Sequence, residues 1–253
     1  MASNEHGGSN RTLVIGLFVA LVVLAGLGGW AAARLSSDPA ALISGADRRA
    51  IEAVVRNYIL ENPEVIPEAM ENLHRKENVK ALANVRNDVE KPFPGAVLGN
   101  PDGKVTLVEF SDFACGYCRA SVADVKQLLA AHPDLRIVMR EFPILSEESA
   151  IAARMALAAG EQGKYAAFHD AMFAAGRLTP ATIDAAARGA GLDLAKARQA
   201  ASSKRIEEEL ARNMSLGRDL GFSGTPSWVV GDQLISGAVG ADALAKAIAD
   251  ARS

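Results

Sequence analysis

The sequence predicts an α/β domain that follows a helical stalk and one hydrophobic helix. Three observations support this prediction: an uncharged apolar run near the N-terminus, a charged segment with helical periodicity behind it, and a strand, C-x-x-C, helix, strand pattern in the C-terminal part. The 253 residues are 49% hydrophobic and 23% charged, which is the composition of a chain that folds.

Charge and cysteine content exclude several classes of protein. The 27 Lys and Arg residues are balanced by 30 Asp and Glu residues, so the chain lacks the net positive charge that nucleic-acid binding requires. Two cysteines are too few for a disulfide-stapled small fold or a four-thiolate zinc site. The four histidines show no pairing at ligand spacing, so we predict no metal site. From the charge balance we predict no nucleic-acid partner.

Residues 12–33 form a run of 22 residues without a charged side chain. As a helix, this run is long enough to cross a hydrocarbon core of roughly 30 Å. It exceeds the apolar part of a usual signal peptide, about 7–15 residues, yet it ends in three alanines that resemble a cleavage site. Residues 1–36 are therefore predicted to be either a cytoplasmic tail with a transmembrane anchor or a signal peptide.

The charges that flank this run do not agree with export of the C-terminal part of the chain. Arg11 precedes the run, whereas Arg34, Arg48 and Arg49 lie beyond it. The positive-inside rule therefore opposes export, although long folded domains cross largely regardless of charge. The flanking charges alone leave the orientation open.

Residues 37–91 are predicted to be a helical stalk. Asp38 and Pro39 fit an N-cap followed by proline at the first helical position. Asn62-Pro63 interrupts the helical pattern, and a second helix is expected to begin near Pro63 or Pro67. One apolar stripe at helical spacing consists of Ile51, Val54, Val55, Tyr58 and Ile59. The stripe predicts self-association; the alternative is that the stalk packs on its own domain.

The chemistry-bearing motif lies in the C-terminal part, residues 92–253. Residues 104–111 are rich in β-branched and apolar side chains and predict a buried strand. Cys115 and Cys118 follow in a C-x-x-C motif, then comes an amphipathic helix, and residues 135–142 predict a second strand. This context is typical of a redox-active C-x-x-C.

The spacing of the two cysteines explains how such a pair would react. Cys115 would lie at a helix N-terminus, where free N–H groups and the helix dipole favour a thiolate. Cys118 is almost one turn further on, so its sulfur can reach Cys115 and close a small ring. We expect Cys115 to be the exposed attacking thiol and Cys118 the shielded resolving thiol. Half of a zinc site and two inert buried cysteines are the alternative interpretations.

A second motif, Gly224-Thr225-Pro226, precedes two short strands that are predicted to form a hairpin around Gly231-Asp232. A proline directly before a strand can hold a cis peptide bond, and a plain turn proline is the alternative. A last helix is expected over residues 241–251.

Together these motifs resemble the DsbA family of bacterial envelope thiol-disulfide oxidoreductases. The resemblance rests on residues 109–118 (EFSDFACGYC) and on Gly224-Thr225-Pro226. The stalk string at residues 55–66 (VRNYILENPEVI) is similar to the N-terminal segment of the ScsC-like branch. The resemblance covers about residues 45–253. It implies a thioredoxin fold with a helical insertion at about 146–220.

The resemblance also implies roles for individual residues. Thr225-Pro226 would be a cis peptide beside the cysteines and, with Gly116 and Tyr117, would contact an extended substrate chain. Glu109 would be a buried acid below Cys118 that shuttles its proton; a satisfied strand carboxylate is the alternative. The Gly116-Tyr117 insert contains no histidine to stabilise the thiolate, so the domain should be a weaker oxidant than the strongly oxidising members.

We therefore predict a thiol-disulfide oxidoreductase that acts on protein disulfides in the cell envelope as an oxidase or isomerase. It would need no bound cofactor beyond a redox-active Cys115–Cys118 disulfide. Its partners would be protein substrates, a membrane redox partner and further copies of the chain, as a trimer through the stalk. It would be anchored at the periplasmic face of the inner membrane, or be periplasmic after signal cleavage. The alternatives are a copper-binding protein that uses the reduced pair and an anchored scaffold or holdase.

Overall fold

The computed structural model describes residues 45–252. The predicted apolar helix at 12–33 and the predicted N-cap at Asp38 lie outside these residues. Between residues 45 and 252, no helix is both long enough and apolar enough to cross a bilayer. Of the described residues, 45–69 belong to one compact unit and 70–252 to another.

The first unit contains helix α1 (Gly45–Glu61) and the first residues of helix α2 (Val65–Leu82). The predicted break between the helices is confirmed. The backbone and side-chain N–H groups of Asn62 both donate to the Tyr58 carbonyl oxygen, at 2.8 and 2.9 Å, and Pro63 has no N–H to continue the helix. No residue of α1 is buried, and Val54, which belongs to the apolar stripe, is 69% exposed.

The second unit begins earlier than the sequence predicts, because the end of the stalk packs against the domain. Leu82 and Val89 are fully buried, and Val85 packs against the same cluster. These three positions recur at the spacing of one helical face, across the end of α2 and the short helix α3 (Arg86–Glu90). The division into compact units falls at residues 69 and 70, whereas the sequence predicts the end of the stalk at residue 91.

A five-stranded mixed sheet forms the centre of the second unit, in the order β1-β3-β2-β4-β5. Strands β2 and β3 are parallel, and helix α4 (Gly116–Ala131) makes the crossover between them. The predicted strands and hairpin are confirmed, whereas the three-residue β1 was not predicted. The strands are β1 (Val97–Gly99), β2 (Val105–Ser111), β3 (Leu135–Glu141), β4 (Ser227–Val230) and β5 (Gln233–Ser236).

The predicted helical insertion lies between β3 and β4. Polar N-caps begin four of its helices: Ser146, Thr179, Asp193 and Ser203 each accept a hydrogen bond from a backbone N–H of the first turn. The chain closes with helix α10 (Ala241–Asp250). The insertion comprises α5 (Glu147–Glu161), α6 (Tyr165–Ala174), α7 (Pro180–Gly189), α8 (Leu194–Ala201) and α9 (Lys204–Asp219).

A separate hydrophobic cluster packs against each face of the sheet. Val108 and Phe110 of β2 pack with the end of the stalk and with α9, whereas Leu107 packs with α4 and the insertion. Since alternate residues of a strand point to opposite faces, Glu109 and Ser111 lie on the same face as Leu107. Cys118 belongs to the core on that face, so the fold brings Glu109, Ser111 and the C-x-x-C motif to one side of the sheet.

Candidate active site

Cys115 is the N-cap residue of α4. Its backbone is extended (φ −77°, ψ 121°), and its sulfur accepts a hydrogen bond from the Cys118 backbone N–H, with a donor–acceptor distance of 3.5 Å. The sulfur thus occupies the position in which a capping oxygen usually satisfies a free N–H of the first turn. Cys115 therefore lies at the start of a helix, as the strand–C-x-x-C–helix pattern predicts.

Asp112 holds the turn that leads into this helix. One of its carboxylate oxygens accepts from the Ala114 N–H at 2.8 Å, and the other accepts from the N–H groups of Ile144 and Leu145 at 2.9 and 3.0 Å. Asp112 therefore ties the C-x-x-C turn to the loop after β3. The sequence reasoning did not single it out, although an aspartate at the end of a strand, before a helix, is a common turn signal.

The two thiols differ in accessibility, and both are free in this structure. Cys118 is completely buried, whereas Cys115 keeps 6% of its surface exposed. The predicted order of exposure is found, but Cys115 is mostly covered rather than open. Gly116 and Tyr117, between the cysteines, are exposed, and Tyr117 retains 71% of its surface.

The Thr225-Pro226 segment lies directly beside Cys115. Its peptide bond is cis, as the resemblance implied, and the Cys115 thiol donates to the Thr225 carbonyl oxygen at 3.2 Å. Pairing of β4 with β2, which joins Ser227 to Phe110, brings this segment next to the cysteines. The structure therefore places Cys115, Thr225 and Pro226 together.

Glu109 lies in the middle of β2, opposite Met139 and Trp228 on the neighbouring strands, and is buried. Burial raises the pKa of Glu109 to about 8, because the ionised form loses its hydration. Burial also raises the pKa of the Cys118 thiol, and the negative charge of Glu109 raises it further. The thiol and the carboxyl therefore interact, and each favours its neutral form.

A second buried carboxyl group, Glu141, was not anticipated. It ends β3, where its Cα is paired with Ser111, and Tyr165 Oη donates to Glu141 Oε1 at 2.5 Å. Burial raises its pKa well above the usual range for a glutamate. Finding it from sequence would have required the register between β2 and β3, which only the fold supplies.

The described residues were compared with the ligand sets that bind metal ions. Within residues 45–252 no cluster of three or more His, Cys, Asp or Glu side chains could hold one. His169 is buried, with its ring 4.9 Å from that of Phe173 and 6.1 Å from that of Tyr165. It packs in the core together with Tyr165 and Phe168.

Residues 106–249 match the family described as the DSBA-like thioredoxin domain, and the chain belongs to this family. Residues 47–78, in the stalk, match the copper resistance protein ScsC N-terminal domain. The stalk and the domain together correspond to the ScsC-like branch.

Solved thioredoxin-like structures are similar to this chain, and a part of it also matches curated proteins. A thioredoxin-like oxidoreductase from Silicibacter pomeroyi DSS-3 is 43% identical, with a TM-score of 0.63, over 66% of this chain and 97% of that one. A linker-deletion mutant of Proteus mirabilis ScsC is 25% identical, with a TM-score of 0.64, over 83% of this chain and 97% of that one. The Na(+)/H(+) antiporter NhaA 1 of Salinispora arenicola is 33% identical over 61% of this chain. The chain spans about a quarter (24%) of the length of that curated relative.

Proposed function

We propose that this protein is a thiol-disulfide oxidoreductase that exchanges disulfides with protein substrates through Cys115 and Cys118. One observation carries the proposal: Cys115 caps α4, with the Cys118 N–H on its sulfur and the Thr225 carbonyl beside it. A thiolate at that position is favoured by the helix dipole and by the unpaired N–H groups of the first turn.

The exchange begins with an attack on Cys115. A substrate thiolate attacks Cys115 Sγ of the Cys115–Cys118 disulfide, the bond between the two cysteines breaks, and a mixed disulfide forms. Cys118 leaves as a thiolate and takes the proton of Glu109. A second substrate thiolate then attacks the substrate sulfur of the mixed disulfide and releases Cys115. The substrate loses two electrons, and the C-x-x-C pair gains them.

Several features bear on the direction of exchange. The Gly116-Tyr117 insert supplies no cation to stabilise the Cys115 thiolate, which favours a weakly oxidising disulfide. Such a pair suits isomerisation as well as oxidation, because the reduced form must also be available to attack wrong disulfides. The exposed Tyr117 ring offers an apolar contact to an unfolded substrate.

The proposed location is the periplasm, where a membrane redox partner would reset the cysteine pair. Stable protein disulfides form and persist in an oxidising compartment such as the periplasm, and they are rare in the cytosol. The apolar run at residues 12–33 is the sequence feature that would direct export. Copper binding by the reduced pair is the alternative function, because thiolate ligands favour Cu(I).

The experiment that tests the proposal uses two substrates. The oxidised protein is mixed with reduced, unfolded ribonuclease, and the reduced protein is mixed with ribonuclease that holds scrambled disulfides. Oxidation of the first substrate indicates an oxidase, and recovery of ribonuclease activity from the second indicates an isomerase. Failure to exchange with either substrate would contradict the proposed function.

We further propose that the stalk assembles copies of the chain, as a trimer. Val54, Val55 and Tyr58 are each more than half exposed, and an exposed apolar stripe at helical spacing is typical of a self-association surface. Several active sites held around one space would suit the reshuffling of a misfolded substrate.

Replacing Val54 with aspartate is expected to convert the assembly to monomers, because a charge would be buried within the apolar stripe. Light scattering measures the mass. Ala53→Asp, on the side of α1 opposite the stripe, is the matched control and should leave the mass unchanged. If the wild-type protein is itself a monomer, the assembly proposal fails. Oxidation of reduced ribonuclease should be unaffected by either change.

A further inference from the structure

A surface cavity of about 420 Å³ lies beside the C-x-x-C turn, between α4 and the helical insertion. One side is formed by Ala114, which directly precedes Cys115, and by Arg119, one helical turn beyond it. The opposite side is formed by the start of α5 and by residues 176–180, which lead from α6 into α7. The exchange steps above use none of these side chains.

Arg119 lies on the same side of α4 as Cys115. Its backbone N–H donates to the Cys115 carbonyl oxygen at 3.1 Å, and residues four apart are neighbours on the surface of a helix. Long side chains on a helix also point back toward its N-terminus, which is the Cys115 end of α4. The guanidinium group donates from Nη2 to the Gly176 carbonyl oxygen at 2.6 Å. Since a guanidinium group has five N–H donors, others remain available to a ligand.

Arg177 brings a second positive charge to the cavity, and it is exposed. Among residues 45–252, neither Arg177 nor Arg119 forms an ion pair with a carboxylate. Glu148, in the first turn of α5, also lines the cavity. Within the described chain, the lining thus sets two guanidinium groups against one carboxylate, and the cavity keeps a net positive charge.

The position of the cavity suits a residue close to the cysteine of a protein substrate. One turn of helix, about 5.4 Å, separates Cys115 from Arg119, whereas an extended chain advances about 3.3 Å per residue. A carboxylate within about three residues of a substrate cysteine bound at Cys115 therefore reaches the arginines. Leu145, which directly precedes Ser146 of the lining, is 53% exposed and offers an apolar contact to the same chain.

We propose that this cavity is a specificity-determining subsite, which binds an acidic side chain close to the reactive cysteine of a protein substrate. This inference rests on the proposed function. Guanidinium groups bind a carboxylate through their charge and through the planar fork of their N–H donors. An acidic side chain bound by Arg119 and Arg177 holds the substrate sulfur near Cys115, whereas a basic side chain at the same position is repelled. The two arginines bind and orient the substrate and take no part in the exchange of sulfur bonds.

Two peptides with a single cysteine test the subsite. They differ only in carrying glutamates or lysines within three residues of the cysteine. The rate at which each peptide thiol attacks the oxidised full-length protein is divided by its rate with hydroxyethyl disulfide, which corrects for the effect of the flanking charges on the thiol itself. We expect the acidic peptide to react at least about fivefold faster at low ionic strength. Salt at about 0.5 M should remove most of this preference, because exposed charges are screened.

Arg177→Glu should abolish the preference for the acidic peptide. This variant is expected to fold, because the backbone carbonyl of Arg177, and not its side chain, accepts from Thr182 Oγ1 at 2.9 Å. Arg188→Glu is the matched control: Arg188 is exposed in the last turn of α7, and its replacement changes the net charge equally but should keep the preference.

Two results would overturn the subsite while leaving the exchange function intact. The first is a wild-type protein that reacts equally fast with both peptides after the correction. The second is the same peptide preference in Arg177→Glu and Arg188→Glu, because the cavity would then have no effect beyond net charge. A wild-type protein that reacts with neither peptide would instead overturn the proposed function.

Discussion

Replacing Cys115 with alanine is expected to lower the rate of disulfide exchange by at least about a thousandfold, because no other residue can form the mixed disulfide. The chain has only two cysteines, so loss of Cys115 leaves Cys118 alone, completely buried against Glu109. The rate is measured with reduced, unfolded ribonuclease as substrate.

Cys118→Ala is the matched variant, and it should behave differently. With Cys115 retained at the start of α4, a substrate disulfide is attacked but the mixed disulfide is not resolved. The covalent complex should therefore accumulate and be visible by mass on a non-reducing gel. If Cys115→Ala kept its activity, or if Cys118→Ala trapped no substrate, the assigned roles of the two thiols would be wrong.

Replacing Glu109 with glutamine is expected to slow the step that protonates or deprotonates Cys118 by about a hundredfold, as for the loss of a general acid or base. Glutamine fills the same space and cannot exchange a proton with the buried sulfur. The effect should be largest near pH 8, where the Glu109 carboxyl changes its protonation state. Stopped-flow measurement of mixed-disulfide resolution across pH checks it.

The same substitution should change how the stability of the reduced protein depends on pH. The pKa of Glu109 rises from 4.5 to about 8 on folding, so between these values the folded state holds a proton that the unfolded state has lost. The contribution of Glu109 to stability is therefore fully present below about pH 4.5 and is lost as the pH rises to about 8. At about 1.4 kcal/mol per pH unit, the loss is of the order of 5 kcal/mol.

Urea unfolding at several pH values measures this dependence. Glu109→Gln should lose this part of the slope and be more stable than the wild-type protein near pH 8, although Glu141 keeps a similar contribution of its own. Glu208→Gln, at an exposed ion pair with Lys204, is the control and should change stability by less than about 1 kcal/mol. A wild-type protein whose stability is flat between pH 5 and about pH 8 would contradict the buried state of Glu109.

Local patterns were sufficient to predict the elements that carry the cysteines. Three adjacent segments carry the signal: the β-branched run that forms β2, the C-x-x-C motif and the amphipathic helix after it. Their order in the sequence predicts that Cys115 lies at the start of a helix. The break at Asn62 was predictable for the same reason, because proline and its preceding residue restrict the backbone locally.

Features that depend on which strands pair could not be predicted in this way. Glu141 is paired with Ser111 only because β3 runs parallel to β2 in one particular register. A shift of β3 by one residue would turn the Glu141 side chain to the opposite face of the sheet. Likewise, the burial of Leu82 and Val89 depends on the sheet face against which they pack, so it could not be predicted from the stalk sequence alone. The cis bond before Pro226 was implied by the family resemblance and is present.

The relative rate at which the two thiols react tests the central claim most directly. Reduced protein is treated with iodoacetamide at neutral pH, and the modified peptides are followed by mass spectrometry over time. We predict that Cys115 is alkylated first, that Cys118 reacts much more slowly, and that the oxidised protein resists both modifications. Faster labelling of Cys118, or two thiols that are still present after oxidation, would contradict the proposal that Cys115 is the attacking sulfur of a reversible disulfide.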